Sequence, residues 1–155
     1  MKAKNTTASL PKEETVDFNI KFAWHSINRM YNQQASNHDL TTSIGFVLLN
    51  IDSKNGTPAT KIAPLLGMEP RSLSRMLKAL EERGLICRKS DPDDKRLVKI
   101  FLTETGRQKK DIAKRTVRLF NEAVRSQVPD DKLNIFFEVI KDIQKIIDKN
   151  HFFNS

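Results

Sequence analysis

The sequence predicts a mostly α fold with a small β-hairpin wing, a winged helix-turn-helix set between N- and C-terminal dimerisation helices. Three observations predict it. Pro70 to Leu102 reads as one helix, a stop and a charged two-stranded ribbon. Thr60 to Leu66 and the tight turn Gly67-Met68-Glu69 supply a partner helix just before it. Outside these residues, apolar side chains recur at spacings of three and four over stretches much longer than such a module needs.

Taken in order, residues 1–14 are polar, contain Pro11 and are expected to form a flexible arm. A helix follows from Thr15 to about Ser36, with Val16, Ile20, Ala23, Trp24, Ile27, Met30 and Tyr31 on one stripe and Phe18 and Phe22 beside it. A helix apolar on so much of its circumference calls for partners on two sides. Thr41 to Asp52 is a second helix, capped by Thr41 or Thr42, with Ile44, Val47, Leu48 and Ile51 turned inward. SKNGTP closes it.

In the next helix Ile62, Leu65 and Leu66 are the expected core residues. Pro64 removes a backbone donor there, which predicts a helix that is short, bent, or begun late enough to put Pro64 in its first turn. On the helix from Pro70, Leu73, Met76, Leu77 and Leu80 gather on one side and Arg71, Arg75 and Lys78 on the other. The leucines anchor the helix, so the cations face outward. Gly84 ends it in the left-handed conformation, which lets Leu85 touch Leu80. Leu85 to Lys89 and Arg96 to Leu102 are the two strands, joined by the turn formers SDPDDK. Thr103 caps a helix running to about Gln127, with Ile112, Leu119, Phe120, Ala123 and Val124 as its apolar contacts. Val128-Pro129-Asp130 breaks it. A last helix, about Asp131 to Lys149, carries Leu133, Phe136, Phe137, Ile140, Ile143 and Ile147 near a heptad period, ahead of Phe152 and Phe153. Left open, that seam is a large apolar patch, so it is expected to pack on another chain or on the first helix. The resulting division is residues 1–14 as arm, 15–40 as N-terminal dimerisation helix, 41–102 as reading module and 103–155 as C-terminal dimerisation helices.

At 155 residues the chain suffices for one domain with a real core. Its 27 basic and 19 acidic residues leave +8, which favours polyanionic partners. Residues 57–102 hold ten Lys/Arg against six Asp/Glu, and residues 103–118 hold six against two. The basic excess thus coincides with the module and the helix leaving it. One cysteine rules out an internal disulfide and suits a reducing cytoplasm. No stretch reads as a signal peptide or a membrane span. His25, His38 and His151 are scattered without metal-ligand spacing, and no nucleophile, phosphate-loop or paired-carboxylate motif stands out. The expectation is a cytoplasmic DNA-binding protein, not an enzyme, with no cofactor.

At Asp94-Lys95-Arg96, the apolar Val98 to Phe101 and Leu102-Thr103-Glu104-Thr105-Gly106, the sequence resembles the wing signature of the MarR family of bacterial transcription regulators. Ser72-Leu73-Ser74-Arg75 and Leu80-Glu81-Glu82-Arg83-Gly84-Leu85-Ile86 match its recognition-helix pattern. The close match covers about residues 57–107. The resemblance implies a homodimer on pseudo-palindromic duplex DNA, usually repressing and often released by a small ligand or an oxidant. By position, Arg71, Ser72, Ser74 and Arg75 are its groove-facing residues, Arg96 enters or flanks the minor groove, and Asp94 orients or pairs with a neighbouring arginine.

Chemistry divides these roles. Arginine grips guanine O6 and N7 bidentately or holds a phosphate, so base readout goes to Arg71 or Arg75. Phosphate anchoring goes to Ser72, Ser74, Lys78 and Lys95. Arg75 has an ion pair with Glu82 as its competing use. Relatives line an effector cavity beside the first helix, which makes Trp24, His25 and Tyr31 the pocket candidates for an aromatic or apolar effector. Trp24 and Tyr31 also share the apolar stripe and read first as core or dimer packing residues. Cys87 lies in the wing near Arg88 and Lys89, which favour a thiolate, yet a lone thiol without a partner reads as inert. The competing function is a winged helix that binds a partner protein.

Overall fold

The structure, a computed structural model, describes residues 10–149. Most of the expected arm, and Phe152 and Phe153, lie outside the described residues; Lys12–Glu14 form a single 3-10 turn. The helices are α1 (Val16–Ser36), α2 (Thr42–Leu49), α3 (Ala59–Leu66), α4 (Pro70–Glu82), α5 (Glu104–Gln127) and α6 (Asp130–Lys149). The strands are β1 (Thr57–Pro58), β2 (Ile86–Ser90) and β3 (Val98–Leu102). The chain divides into two compact units that meet within α5, one ending at Lys114 and the other beginning at Arg115.

In the first unit the core is the interior of the helix-turn-helix. Val47, Leu48 and Ile51 of the α2 region, Ile62 and Ala63 of α3, and Leu73, Leu77 and Leu80 of α4 pack with Leu85, Ile86, Ile100 and Leu102. Thr41 caps α2, its hydroxyl accepting from the Ile44 amide at 3.2 Å. Helix α3 is short, at eight residues, with Pro64 in its sixth position rather than its first turn. Its core residue beside Ile62 is Ala63, not Leu65, which is 63 % exposed because it projects from the other side of the turn.

Helix α4 has Pro70 at its first position and buries Leu73, Leu77 and Leu80, as the spacing requires. Gly84, at φ 68°, ends it. The Leu85 amide donates to the Leu80 carbonyl and the Gly84 amide to the Glu81 carbonyl, both at 2.9 Å, which together satisfy the last turn.

The sheet is antiparallel in the order β1-β3-β2. Strand β1, absent from the sequence reading, sets Thr57 opposite Ile100 and Pro58 opposite Lys99. Pro58 is tolerated because β1 is an edge strand. In the wing, Ile86 pairs with Leu102 and Ser90 with Val98. The second wing strand begins at Val98, so Arg96 and Leu97 belong to the turn and not to the strand.

Thr103 joins α4, the wing and α5. Its hydroxyl donates to the Gly84 carbonyl at 2.7 Å and accepts from the Gly106 amide at 3.0 Å, and its own amide donates to the Leu85 carbonyl at 3.1 Å. Gly106 is required there, since a Cβ would stand 1.9 Å from the Leu85 carbonyl oxygen.

Several apolar stripes remain open. On α1, Val16, Ile20, Phe22 and Trp24 are exposed and only Tyr31 is buried. On α5, Leu119 and Ala123 are exposed in the single chain. On α6 only Leu133 is buried, while Ile135, Phe136, Phe137, Val139, Ile146 and Ile147 are exposed.

Candidate nucleic-acid interface

Helix α4 presents Arg71, Ser72, Ser74, Arg75 and Lys78 to solvent, because each lies off the Leu73-Leu77-Leu80 stripe. The side chains of Arg71 and Arg75 have neither a hydrogen bond nor an ion pair to any described residue. Glu82, the expected competitor for Arg75, faces Lys78 instead, at 3.9 Å. That pair is exposed and weak, so it leaves Lys78 available. The Ser74 hydroxyl donates to the Pro70 carbonyl at 3.0 Å, which commits its proton and leaves it an acceptor.

The wing tip is shaped by its own carboxylates. Asp91 Oδ1 accepts from the Asp93 amide and Asp94 Oδ1 from the Arg96 amide, both at 2.9 Å. Asp94 therefore orients the backbone that carries Arg96 and, among the described residues, makes no ion pair with an arginine. The Asp93 amide, with help from Lys99 at 3.6 Å, holds the Asp91 carboxyl below the usual carboxylate range. Lys95 and Arg96 project from the turn without a partner among the described residues.

The ten cations of residues 57–102 fall into two sets. Lys78 and Lys99 are paired as described, Arg83 with Asp39 at 3.0 Å and Arg88 with Glu81 at 3.2 Å, while Lys89 stands 5.1 Å from the centre of the Phe101 ring. Lys61, Arg71, Arg75, Lys95 and Arg96 have no described partner. Lys61, exposed on α3, was passed over in the sequence because no motif marks it. Arg88 and Lys89, expected to favour a Cys87 thiolate, are engaged by Glu81 and Phe101, and Cys87 itself is half-buried opposite Phe101.

The basic stretch after the wing is also partly committed. Lys109 donates to the His38 carbonyl, and Lys110 to the Ile51 carbonyl at 2.6 Å. Each lysine thus meets the negative end of a helix, after α1 and after α2 respectively.

The aromatic candidates separate. Phe46 of α2 gathers Trp24 at 6.1 Å and Tyr31 at 6.0 Å, the latter edge-on. Tyr31 is buried, and burial raises its pKa. His25 is exposed and stands outside this group. Among the described residues no cluster of His, Cys, Asp or Glu is placed to hold a metal ion, and no helix is long and apolar enough to cross a membrane.

Comparison with known proteins agrees with this geometry. The model of the MarR family matches residues 40–98. The HTH-type transcriptional regulator TtmR of Methylorubrum extorquens (strain PA1) is 34 % identical over 90 residues, 58 % of this chain and 46 % of TtmR. The chain spans about half the length of the first curated relatives it matches. A transcriptional repressor CouR bound to a 23-mer DNA duplex superposes with TM-score 0.73 at 26 % identity, covering 88 % of this chain and 99 % of that one. CouR from Rhodococcus jostii RHA1 bound to p-coumaroyl-CoA shares the fold, with TM-score 0.75 at 24 % identity over 87 % of this chain and 95 % of that one. The signature residues, the three-stranded winged module and these matches agree: residues 40–98 match the MarR family, and the chain has the winged helix-turn-helix fold of these relatives.

Proposed function

We propose that this protein is a homodimeric, sequence-specific DNA-binding transcriptional regulator of the cytoplasm, acting as a repressor, with α4 in the major groove and the β2–β3 wing at the minor groove. One observation carries the reading. Half of the module's cations are spent on internal partners, and the unspent half, Lys61, Arg71, Arg75, Lys95 and Arg96, lies on the helix-turn-helix and at the wing tip. Arg71 or Arg75 reads base edges, Arg96 enters the minor groove, and Lys61, Lys78, Lys95 and Ser72 hold phosphates, joined by Ser74 when its hydroxyl turns from the Pro70 carbonyl. Asp94 fixes the turn that aims Arg96.

The dimer is the second part of the reading. The exposed apolar faces of α1 and α6 are what a twofold partner would cover, which makes residues 15–40 and 103–155 the dimerisation segments around a module of residues 41–102. Two modules about 34 Å apart, one turn of B-DNA, meet successive major grooves on one side of the duplex. A small aromatic or apolar effector acting at Trp24, Phe46 and Tyr31 would regulate by altering that spacing. A DNA complex and a ligand complex among the structural relatives support the DNA and effector parts of the reading.

An electrophoretic shift with genomic fragments, including the DNA upstream of the protein's own gene, tests the proposal. Selective retention of a few fragments is expected. Equally feeble binding to every fragment overturns it in favour of a protein-binding winged helix.

A further inference from the structure

The last residue of the α4 region is tied to the far end of α1. The Arg83 guanidinium donates to the backbone carbonyl of Asp39, and to its carboxylate Oδ2 at 3.0 Å, across 44 residues of sequence. The carboxylate side chain is 93 % exposed against 34 % for Arg83, so the bond to the carbonyl is the better protected half. Asp39 has φ 55°, the one positive value outside glycine among the described residues, so this corner is held in a conformation that aspartate tolerates but does not prefer. The preceding carbonyl, of His38, receives Lys109. On the other side of the corner, Asn32 Oδ1 accepts from the Thr42 amide at 2.8 Å, so the end of α1 is also fastened to the start of α2.

Arg83 is twelve residues beyond Arg71, about 18 Å along the helix. It therefore stands at the opposite end of α4 from the side chains assigned to DNA. We propose that Arg83 is a positioning residue for DNA readout: by holding the Asp39 carbonyl it sets the pitch of α4 against α1, and a displacement of α1 is passed to the recognition helix through this one clamp. The inference rests on the regulator reading above. It adds a route from the α1–α2 aromatic group to α4 that needs no contact between Arg83 and DNA.

The test compares wild type, Arg83→Ala, Arg83→Lys and Asp39→Asn, all full length. Two probes are used: a duplex that the wild type selects from a randomised pool, and a random-sequence duplex of equal length. Arg83→Ala is expected to weaken selected-duplex binding about tenfold while random-duplex binding stays within about twofold, because misaimed heads lose register but keep their charge. Asp39→Asn keeps the carbonyl and is expected to bind like wild type. Independently of DNA, hydrogen exchange at the His38, Asp39 and Leu40 amides, which now bond to Ala35 and Ser36, is expected to quicken about tenfold in Arg83→Ala while Val47 and Leu48 stay protected. Arg83→Lys, which keeps the charge and loses the fork, gives an intermediate fall and serves if the alanine variant fails to fold. Parallel losses on both duplexes would make Arg83 a phosphate contact and overturn the proposal, as would unchanged exchange at the corner. A wild type that selects no duplex defeats the regulator reading itself, and the exchange data then show separately whether the clamp exists.

Discussion

Removing the wing arginine should change how binding responds to salt. Each module offers Lys61, Arg71, Arg75, Lys95 and Arg96 without internal partners, and a homodimer doubles them. With one arginine per module given to base edges and Lys78 counted as well, since its exposed pair with Glu82 is weak, about ten contacts remain, and at about 0.9 counterions released per contact the logarithmic salt slope is about −9. Arg96→Ala removes one contact per module and lowers the slope to about −7.2, a change of about 1.8. Because the lines converge near 1 M salt, the variant should bind about 60-fold more weakly at 0.1 M.

The assay is fluorescence anisotropy of a labelled duplex titrated at four or more salt concentrations, with selected and random sequences in parallel. The loss should be nearly the same on both, since Arg96 at the minor groove adds charge between the phosphates without reading the major-groove base edges. Arg71→Ala or Arg75→Ala should behave differently, losing a further 5- to 150-fold or so on the selected duplex alone, the range for a bidentate base contact. An Arg96 variant whose slope equals the wild-type slope refutes the wing contact, whatever its affinity. The Arg96 backbone is fixed by Asp94, so a missing effect could not be blamed on a turn that the substitution unfolds.

Three further outcomes follow from contacts inside the first unit. Gly106→Ala puts a Cβ 1.9 Å from the Leu85 carbonyl oxygen and should cost about 3 kcal/mol, combining overpacking with the loss of one hydrogen bond; urea unfolding within 0.5 kcal/mol or so of wild type would contradict it. Lys110→Met leaves the Ile51 carbonyl without its charged donor and should destabilise by about 2 kcal/mol while the salt slope of DNA binding stays put, so a flattened slope would return Lys110 to the DNA contacts. Asp91 and Asp52 are both held below the ordinary carboxylate value, Asp91 chiefly by the Asp93 amide and Asp52 chiefly by the Asn55 amide. Groups of that kind lend stability that is complete above the unfolded carboxylate pKa and lost as pH falls through the lowered native one. Unfolding followed from pH 6 to pH 2 or so should therefore show an acid limb that Asp91→Asn and Asp52→Asn each flatten, and an unaltered limb in both variants would remove the two turns from the account.

What the sequence made legible was set by local rules. Helix α4 and its stop could be read because Pro70, the leucine period and Gly84 each act within a few residues of where they stand. Strand β1 could not, since Thr57 and Pro58 are a strand only by virtue of the edge that β3 offers them. Leu65 and Ala63 were exchanged for a related reason: on a helix of eight residues, apolar character alone does not fix which side is inward, and the larger side chain drew the assignment. The division of the cations was the least legible feature. Arg83 finds Asp39 across 44 residues, Lys110 finds Ile51 across 59, and Lys109 finds His38 across 71, so counting charge located the basic region but not which of its members were already spent.

The family signature and the DNA-reading residues also differ in kind. Thr103, Gly106, Gly84 and Leu85 all belong to the recognisable pattern, and all four meet at one joint, where a short hydroxyl bridges the Gly84 carbonyl and the Gly106 amide and a missing Cβ lets α5 approach the Leu85 carbonyl. That joint admits few alternatives: serine in place of threonine could make the same bonds, but any side chain at Gly106 meets backbone, which cannot swing aside. Arg71 and Arg75 are under no such constraint, since both are exposed and neither side chain has a hydrogen bond or ion pair to a described residue. The joint fixes how the wing and α4 are aimed, whereas on the proposed reading the exposed arginines would decide which bases α4 meets. A pattern enforced by packing therefore identifies the architecture, and on that reading the choice of DNA sequence would rest on the positions that packing leaves unconstrained.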